Sequence, residues 1–199
     1  MNGNNGYAGN DITPEILKYS SLCTDNCRIE PQLYIEHKVN RGLRDLNGKG
    51  VLTGLTEISE IVSKKIVNGE EVPCRGKLYY RGYDVEQLVA GFIRDGRFGF
   101  EEIVYLLLFA SLPNAEQLSD FCSLLSSYRT LPGSFVRDII MKAPSANMMN
   151  SLARSVLTLY SYDTNAEDTS IPNVLRQCLQ LIARFPLSNS VMVGREPCE

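Results

Sequence analysis

The sequence predicts a mainly α-helical protein that carries a small antiparallel β-hairpin in the region of residues 56–80. After Asp84, apolar residues recur at helical spacing in one stretch after another, with glycine and proline between the stretches. Before Asp84, short β-branched runs flank Asn68-Gly69, a pair that favours a type I′ turn. The change of pattern falls between Tyr79 and Asp84, which we interpret as a strand-to-helix junction.

Composition is typical of an ordinary globular protein. Of the 199 residues, 44% are hydrophobic and 22% are charged, which is enough to bury a core and fits one domain. A net charge of -3 without a cluster of basic residues gives no electrostatic reason to expect nucleic acid as a partner. The longest apolar run, around residues 103–108, is far shorter than a membrane span, and no charged and apolar leader opens the sequence. We therefore expect a cytoplasmic protein without a membrane partner.

The first fifty residues predict an extension ahead of the main domain. Residues 1–10 are rich in asparagine and glycine and are expected to be disordered. Thr13-Pro14 starts a short helix, because threonine is a good cap and proline suits the first helical turn. A second short helix is expected from Pro31 to His37, and a turn at 47–50 ends the extension.

Beyond residue 84 the expected helices have local start and stop signals. Asp84 and Asn114 each stand three residues before a glutamine, which resembles the capping pair that satisfies the first free N–H groups of a helix. Pro113 is expected to stop a helix, and Ser145 and Ser170 are expected to start one. The expected helices cover 85–93, 100–112, a stretch from 114, 135–140, 145–161 and 170–182. The helix at 100–112 is apolar on nearly every side and is expected in the core.

The junction itself has a structural and a functional interpretation. Arg81 stands between tyrosines and is interpreted as holding the turn through hydrogen bonds to backbone carbonyls, with anion binding as the alternative. Tyr79, Tyr80 and Tyr83 are interpreted as core aromatics at a strand end, with stacking on an adenine as the alternative.

Five segments, taken in order, resemble the amino-terminal part of a citrate synthase. They read YRGYDVEQL at 80–88, FEEIVYLLL at 100–108, LP at 112–113, NMMNSLARSV at 147–156 and LIARFP at 181–186. Many members of that family have His-Pro-Met where this chain has Ala146-Asn147-Met148. The resemblance implies an extension at 1–50, an incomplete helical domain at 51–186 that is part of the family's large domain, and a divergent tail at 187–199.

The resemblance also implies a reaction, the condensation of acetyl-CoA with oxaloacetate to give citrate and CoA. In the family an aspartate removes a proton from the acetyl methyl group, while two histidines stabilise the enol and polarise the ketone. These groups lie downstream of the element that matches 181–186. His37 is the only histidine of this chain, so we expect no catalytic residue in it and a truncated, inactive acyltransferase. Acetyl-CoA is the family's substrate, and no cofactor is expected on this chain.

The cysteines are interpreted as reduced thiols, because a chain of this length does not need disulfides. Cys23 and Cys27 could share a helix face and bind a metal, but a structural zinc site needs two further ligands. We therefore expect no metal site. The six cysteines are Cys23, Cys27, Cys74, Cys122, Cys178 and Cys198.

One partner is expected, a second copy of the chain. In the family, the helix corresponding to 146–161 contributes to a homodimer interface, and its broad apolar face fits that role. A core helix would present the same face, and this second interpretation stays open. The competing function is a stand-alone helical module that binds another protein and has no enzymatic activity.

Overall fold

The computed structural model of the protein describes residues 11–39, 51–142 and 147–193. Within them the chain is mainly α-helical with one three-stranded antiparallel sheet, which confirms the predicted fold class. The expectations for 1–10 and 47–50 lie outside the described residues, as do Ser145 and Cys198.

The described elements follow one another in a simple order, two helices, three strands and five further helices, with a short π-helix before the last two. They are α1 (Pro14–Asn26), α2 (Pro31–Glu36), β1 (Ser59–Val67), β2 (Glu70–Tyr80), β3 (Tyr83–Asp84), α3 (Val85–Arg94), α4 (Phe100–Phe109), α5 (Ala115–Ser127), the π-helix (Val136–Met141), α6 (Met148–Tyr160) and α7 (Ile171–Val193).

The chain folds as two compact units. Of the residues that the structure describes, those up to 21 and those from 119 onward form the first unit, and those from 22 to 118 form the second. Helix α1 therefore begins in the first unit and ends in the second, whereas α5 begins in the second unit and ends in the first. The domain boundaries expected from sequence, at 50 and 186, stay a prediction.

The predicted hairpin is present in the second unit. Strands β1 and β2 pair antiparallel with Val67 opposite Glu70, and a bulge interrupts the register between Val62 and Lys64. Asn68 and Gly69 both have positive φ, at 53° and 84°, as a type I′ turn requires. The turn residues therefore fix the register, as the sequence predicted.

Helix α4 supplies the buried residues of the second unit. Tyr105, Leu106 and Phe109 are almost fully buried, and the rings of Tyr105 and Phe109 lie edge to face with centroids 4.7 Å apart. The start of this helix needs a glycine, because a Cβ on Gly99 would lie 2.2 Å from the ring of Phe92. The core role predicted for this helix is therefore confirmed along one face, whereas Phe100 is exposed.

The first unit contains an aromatic contact and a hydrophobic cluster whose buried centre is Phe135 and Leu159. Tyr19 and Phe121 meet edge to face with ring centroids 5.6 Å apart. Four partly buried residues pack against Phe135 and Leu159, and these are Leu131, Val136, Ile139 and Leu181. The π-helix thus occupies the place where a short helix was expected.

Three helix boundaries differ from the sequence predictions. Helix α4 ends at Phe109 rather than at 112, because Ala110 turns into the left-handed conformation with φ 62°. Helix α6 begins at Met148 rather than at 145, and Asn147 caps it through a side chain that accepts a hydrogen bond from the N–H of Asn150. Helix α7 continues through Pro186 to Val193, and so extends into the segment 187–199 that was expected to be a divergent tail. Pro186 lies on the exposed side of the helix, where its ring meets solvent.

Candidate functional site

The site singled out by the sequence, the junction at Tyr79 to Asp84, is a second tight hairpin turn. Strand β2 pairs with β3 with Tyr80 opposite Tyr83, so Arg81 and Gly82 form the two-residue loop. Both loop residues have positive φ, at 48° and 84°. An arginine in the left-handed region costs on the order of 1 kcal/mol, so its side chain needs a compensating role.

The guanidinium of Arg81 provides that compensation at the carboxyl end of α4. Its Nε and Nη2 atoms donate to the carbonyl oxygen of Leu107 at 3.3 and 3.0 Å. The last four carbonyls of a helix have no partner inside the helix, and a cation there also interacts favourably with the helix dipole. Arg81 therefore binds a backbone carbonyl, as expected, but that carbonyl belongs to α4 and not to the turn that the residue was expected to hold.

The end of α1 supplies donors for the remaining carbonyls of α4. The thiols of Cys23 and Cys27 each lie 3.5 Å from the carbonyl oxygen of Leu108, and Asn26 donates to that of Phe109 at 3.0 Å. The N–H of Ala110 donates to Leu106 at 2.9 Å. All four carbonyls of the last turn of α4 therefore have donors, and most of these come from distant parts of the sequence. We refer to this set of contacts as the α4 cap.

The other residues of the junction have local roles. Asp84 caps α3, because its carboxylate accepts a hydrogen bond from the N–H of Glu86 at 2.9 Å. The Lys77 ammonium, 2.8 Å from the same carboxylate, lowers the pKa of Asp84, and the Glu86 N–H acts in the same direction. Tyr79 and Tyr80 are half-buried and Tyr83 is exposed, so only two of the three rings take part in packing.

A buried charge cluster lies in the first unit, on α7. Arg176 is 0% exposed and forms an ion pair with Asp163, in which the single nitrogen Nη2 lies 2.9 and 2.8 Å from the two carboxylate oxygens. Asn173 and Gln180 accept further hydrogen bonds from this guanidinium. Burial raises the pKa of the Asp163 carboxyl, but hydrogen bonds from Arg176, Gln177 and a backbone N–H outweigh it and hold the pKa below its usual range.

A second buried guanidinium continues the cluster along α7. Arg184, 2% exposed, donates to the carbonyl oxygen of Thr130 at 3.0 Å and to the side chain of Gln180 at 3.2 Å. Gln180 thus accepts from both arginines through one oxygen, and its Nε2 forms no hydrogen bond with any residue that the structure describes. Gln180 and Arg184 line a cavity of about 220 Å³ with Asp163 and apolar residues of α6.

Sequence reasoning missed this cluster. Arg176, Gln180 and Arg184 repeat every four residues and so lie on one face of α7, which is a signal that the sequence contains. Leu179 and Ala183, which lie next to these residues on α7, are buried as well, so the face is partly apolar. Asp163, the partner in the ion pair, is distant in sequence and has no spacing that marks it.

The described residues contain few of the groups that hydrolysis or condensation would require. His37 is exposed. In the ranges 11–39, 51–142 and 147–193, no three His, Cys, Asp or Glu side chains are grouped so that they could hold a metal ion. None of the helices in the described ranges combines the length and hydropathy of a membrane span.

Comparison with known proteins gives a consistent result. Residues 43–193 match the family model described as citrate synthase, C-terminal domain. The chain is 27% identical over 164 residues to 2-methylcitrate synthase 1 of Corynebacterium glutamicum, covering 82% of this chain and 38% of that protein. It is 32% identical over 116 residues to a citrate synthase of Haloferax volcanii, covering 56% of this chain and 29% of that protein.

The fold also resembles a solved structure. The crystal structure of citrate synthase from Pyrobaculum aerophilum matches with a TM-score of 0.56 and 23% identity, covering 80% of this chain and 40% of that one. At that identity the match supports the fold alone. Both the Corynebacterium relative and the Pyrobaculum structure match about four fifths of this chain. The chain spans only about two fifths of the length of each.

The Asp163 to Arg176 pair predicts a large and pH-dependent contribution to stability. Asp163→Asn leaves a buried guanidinium without a charged partner and should cost about 3 kcal/mol at neutral pH. Because the pKa of Asp163 is lowered on folding, this contribution is complete above the unfolded pKa of about 3.9 and is lost as pH falls through the folded pKa. Urea unfolding followed by circular dichroism at several pH values measures it.

The matched control is Asp120→Asn, which removes an exposed carboxylate of the same unit. It should change the free energy of unfolding by less than about 0.5 kcal/mol. If Asp163→Asn is as mild as this control at neutral pH, the ion pair does not hold α7 in place.

Proposed function

The chain belongs to the citrate synthase family, and we propose that it is part of an enzyme that condenses acetyl-CoA with oxaloacetate to give citrate and CoA. The observation that carries this proposal is the family match over residues 43–193. The structural likeness to a citrate synthase supports the same fold over most of the chain. We place the chain in the amino-terminal part of such an enzyme, on the order of the motifs from 80 to 186, and this placement stays a prediction.

The proposed contribution of this polypeptide is to the scaffold rather than to the chemistry. The family mechanism needs two imidazoles and a carboxylate around the acetyl group. The matched region, 43–193, contains no histidine, and His37 lies before it and is exposed. We therefore propose that the 199-residue chain is inactive by itself. The enzyme to which it belongs is proposed to be an acyltransferase, in which the transferred acyl group becomes an alkyl group of the product. A cytoplasmic location, expected from composition, stays a prediction.

The acyl donor and the oxo-acid are left open by the relatives. Two of them are named 2-methylcitrate synthases and others are named citrate synthases. 2-Methylcitrate has one methyl group more than citrate, which condensation of oxaloacetate with propionyl-CoA would supply. Both donors therefore belong in any test of activity.

We also propose that the chain forms a homodimer through α6. The sequence assigned one apolar face to this helix, but the structure divides its apolar residues between two sides. Ser151, Ser155 and Leu159 are buried, whereas Met149 and Leu157 are about three quarters exposed on another side of the helix. Exposed apolar area of this kind is unfavourable in water by about 25 cal/mol per Å². A second copy of the chain is the partner that the family resemblance implies for this surface.

The activity test uses the purified chain with oxaloacetate and either acetyl-CoA or propionyl-CoA. Release of free CoA, followed with a thiol reagent, should not exceed the rate without protein, because the matched region provides no imidazole. An ordinary enzyme turns over about 10 times per second, and loss of such groups costs more than a thousandfold. Turnover faster than about 0.01 per second would contradict the proposed inactivity.

The dimer test places a charge at an exposed position of α6. Leu157→Glu should convert a sedimenting dimer into a folded monomer, because Leu157 is 74% exposed within the chain and its replacement leaves the core unchanged. Ile93→Glu is the matched control, since Ile93 is 75% exposed on α3. It should leave the sedimentation coefficient as it is. A wild-type chain that is monomeric at high concentration would favour the stand-alone module instead.

A further inference from the structure

A cleft in the first unit opens between the start of α1 and one face of α5. Its volume is about 710 Å³, which lies within the range of roughly 300–1,000 Å³ that is typical of ligand pockets. Glu15 and Lys18 of α1 line one side, and Asp120 and Leu124 of α5 line the other. Tyr128, one residue beyond the end of α5, is a buried residue of the lining. All of the lining residues belong to the first unit.

Tyr128 brings a hydroxyl without a protein partner to this cleft. The residue is 4% exposed, and its hydroxyl forms no hydrogen bond with any residue that the structure describes. This oxygen is not among the side-chain atoms that the described residues seal from solvent, so it opens on the cleft that Tyr128 lines. A hydroxyl on a buried residue is unfavourable without a hydrogen bond, and an acceptor placed in the cleft supplies one.

The buried end of the cleft lies close to positive charge. Burial raises the pKa of the Tyr128 hydroxyl, whereas the guanidiniums of Arg176 and Arg184 lower it. Asp163 pairs with Arg176, yet both guanidiniums still act on Tyr128 as positive charges. An O–H donor in such surroundings favours an anionic acceptor, because hydrogen bonds to charged groups are the strong ones. A carboxylate is therefore the acceptor that suits this end of the cleft.

The opening of the cleft carries charge of the opposite sign. Glu15 and Asp120 are exposed, one on each helix, and neither forms an ion pair with the residues of the described ranges. Hydrogen bonds from its own backbone N–H and from the Thr13 hydroxyl lower the pKa of Glu15, so this carboxylate is ionised at neutral pH. The Lys18 ammonium lies 6.0 Å from the centre of the Tyr19 ring. Two carboxylates and one ammonium leave the opening with a net negative charge, which suits a ligand ammonium group.

We propose that this cleft binds a free amino acid with an apolar side chain. The carboxylate of the amino acid accepts a hydrogen bond from the Tyr128 hydroxyl, and its ammonium group lies between Glu15 and Asp120. Its apolar side chain packs against Leu124. One side of the site comes from α1, which lies outside the residues 43–193 that match the family model. The site therefore gives the chain a binding function beyond the proposed scaffold.

The test measures binding of small molecules to the purified full chain by isothermal titration calorimetry. The probes are L-leucine and two analogues that each lack one of its charged groups. 4-Methylpentanoate lacks the ammonium group, and 3-methylbutylamine lacks the carboxylate. L-Leucine should bind at one site with a dissociation constant of about 1 mM or lower. Each analogue should bind at least about tenfold more weakly, because one charge-assisted hydrogen bond is lost.

Three variants assign the binding to this cleft. Tyr128→Phe removes the hydroxyl and keeps the ring, so it should weaken L-leucine binding about tenfold while the helical circular dichroism signal stays the same. Asp120→Asn removes one carboxylate of the opening and should weaken binding about threefold, the factor expected of one exposed charge pair. Tyr34→Phe is the matched control, since Tyr34 is an exposed tyrosine that does not line the cleft. It should leave the dissociation constant unchanged.

The proposal is overturned if the wild-type chain shows no saturable binding of L-leucine, or if either analogue binds as tightly as L-leucine. Both comparisons use the wild-type chain, so they hold even if a variant is poorly folded. Wild-type affinity in Tyr128→Phe would overturn it as well, because the hydroxyl of Tyr128 defines the buried end of the site.

Discussion

The second unit depends on one requirement, that the four free carbonyls at the end of α4 find donors. Helix α4 carries the buried residues of this unit, so its end cannot be left to water alone. The left-handed turn at Ala110 satisfies one carbonyl, and side chains from α1 and from the turn between β2 and β3 satisfy the others. The cap therefore connects three segments that are far apart in sequence, and it explains why an arginine occupies a strained turn position.

In the first unit, the groups that need partners are buried charges rather than the carbonyls of a helix end. Two guanidiniums are buried on one face of α7, and Asp163 is the carboxylate that pairs with Arg176. Breaking such a pair is costly, because a buried charge is then left without compensation. This gives the first unit a defined arrangement of α7 and the segment around Asp163, and it sets the walls of the neighbouring cavity.

The sequence predicted those parts of the fold that local chemistry decides. Asn68-Gly69 formed the expected turn, and Asn114 and Gln117 exchange reciprocal hydrogen bonds at 2.9 Å as a capping pair should. Arg81 was assigned to backbone carbonyls, and its guanidinium does donate to one, although that carbonyl belongs to α4 rather than to the turn. The early end of α4 was not predictable, because alanine rarely adopts positive φ and does so here in a context of long-range contacts. The burial of the two arginines on α7 was not predicted for a similar reason, because Asp163, the partner of Arg176, is distant in sequence.

Arg81 belongs both to the first motif of the family resemblance and to the α4 cap. The most direct test of the cap is a double-mutant cycle between Arg81→Asn and Asn26→Ala, measured as free energies of unfolding in urea. Because both side chains act on one helix end, the two changes should be non-additive by at least about 0.5 kcal/mol. A parallel cycle of Arg81→Asn with Asn114→Ala, which concerns a different helix end, should be additive. Additivity in both cycles would contradict a single cap that joins α1, the turn and α4.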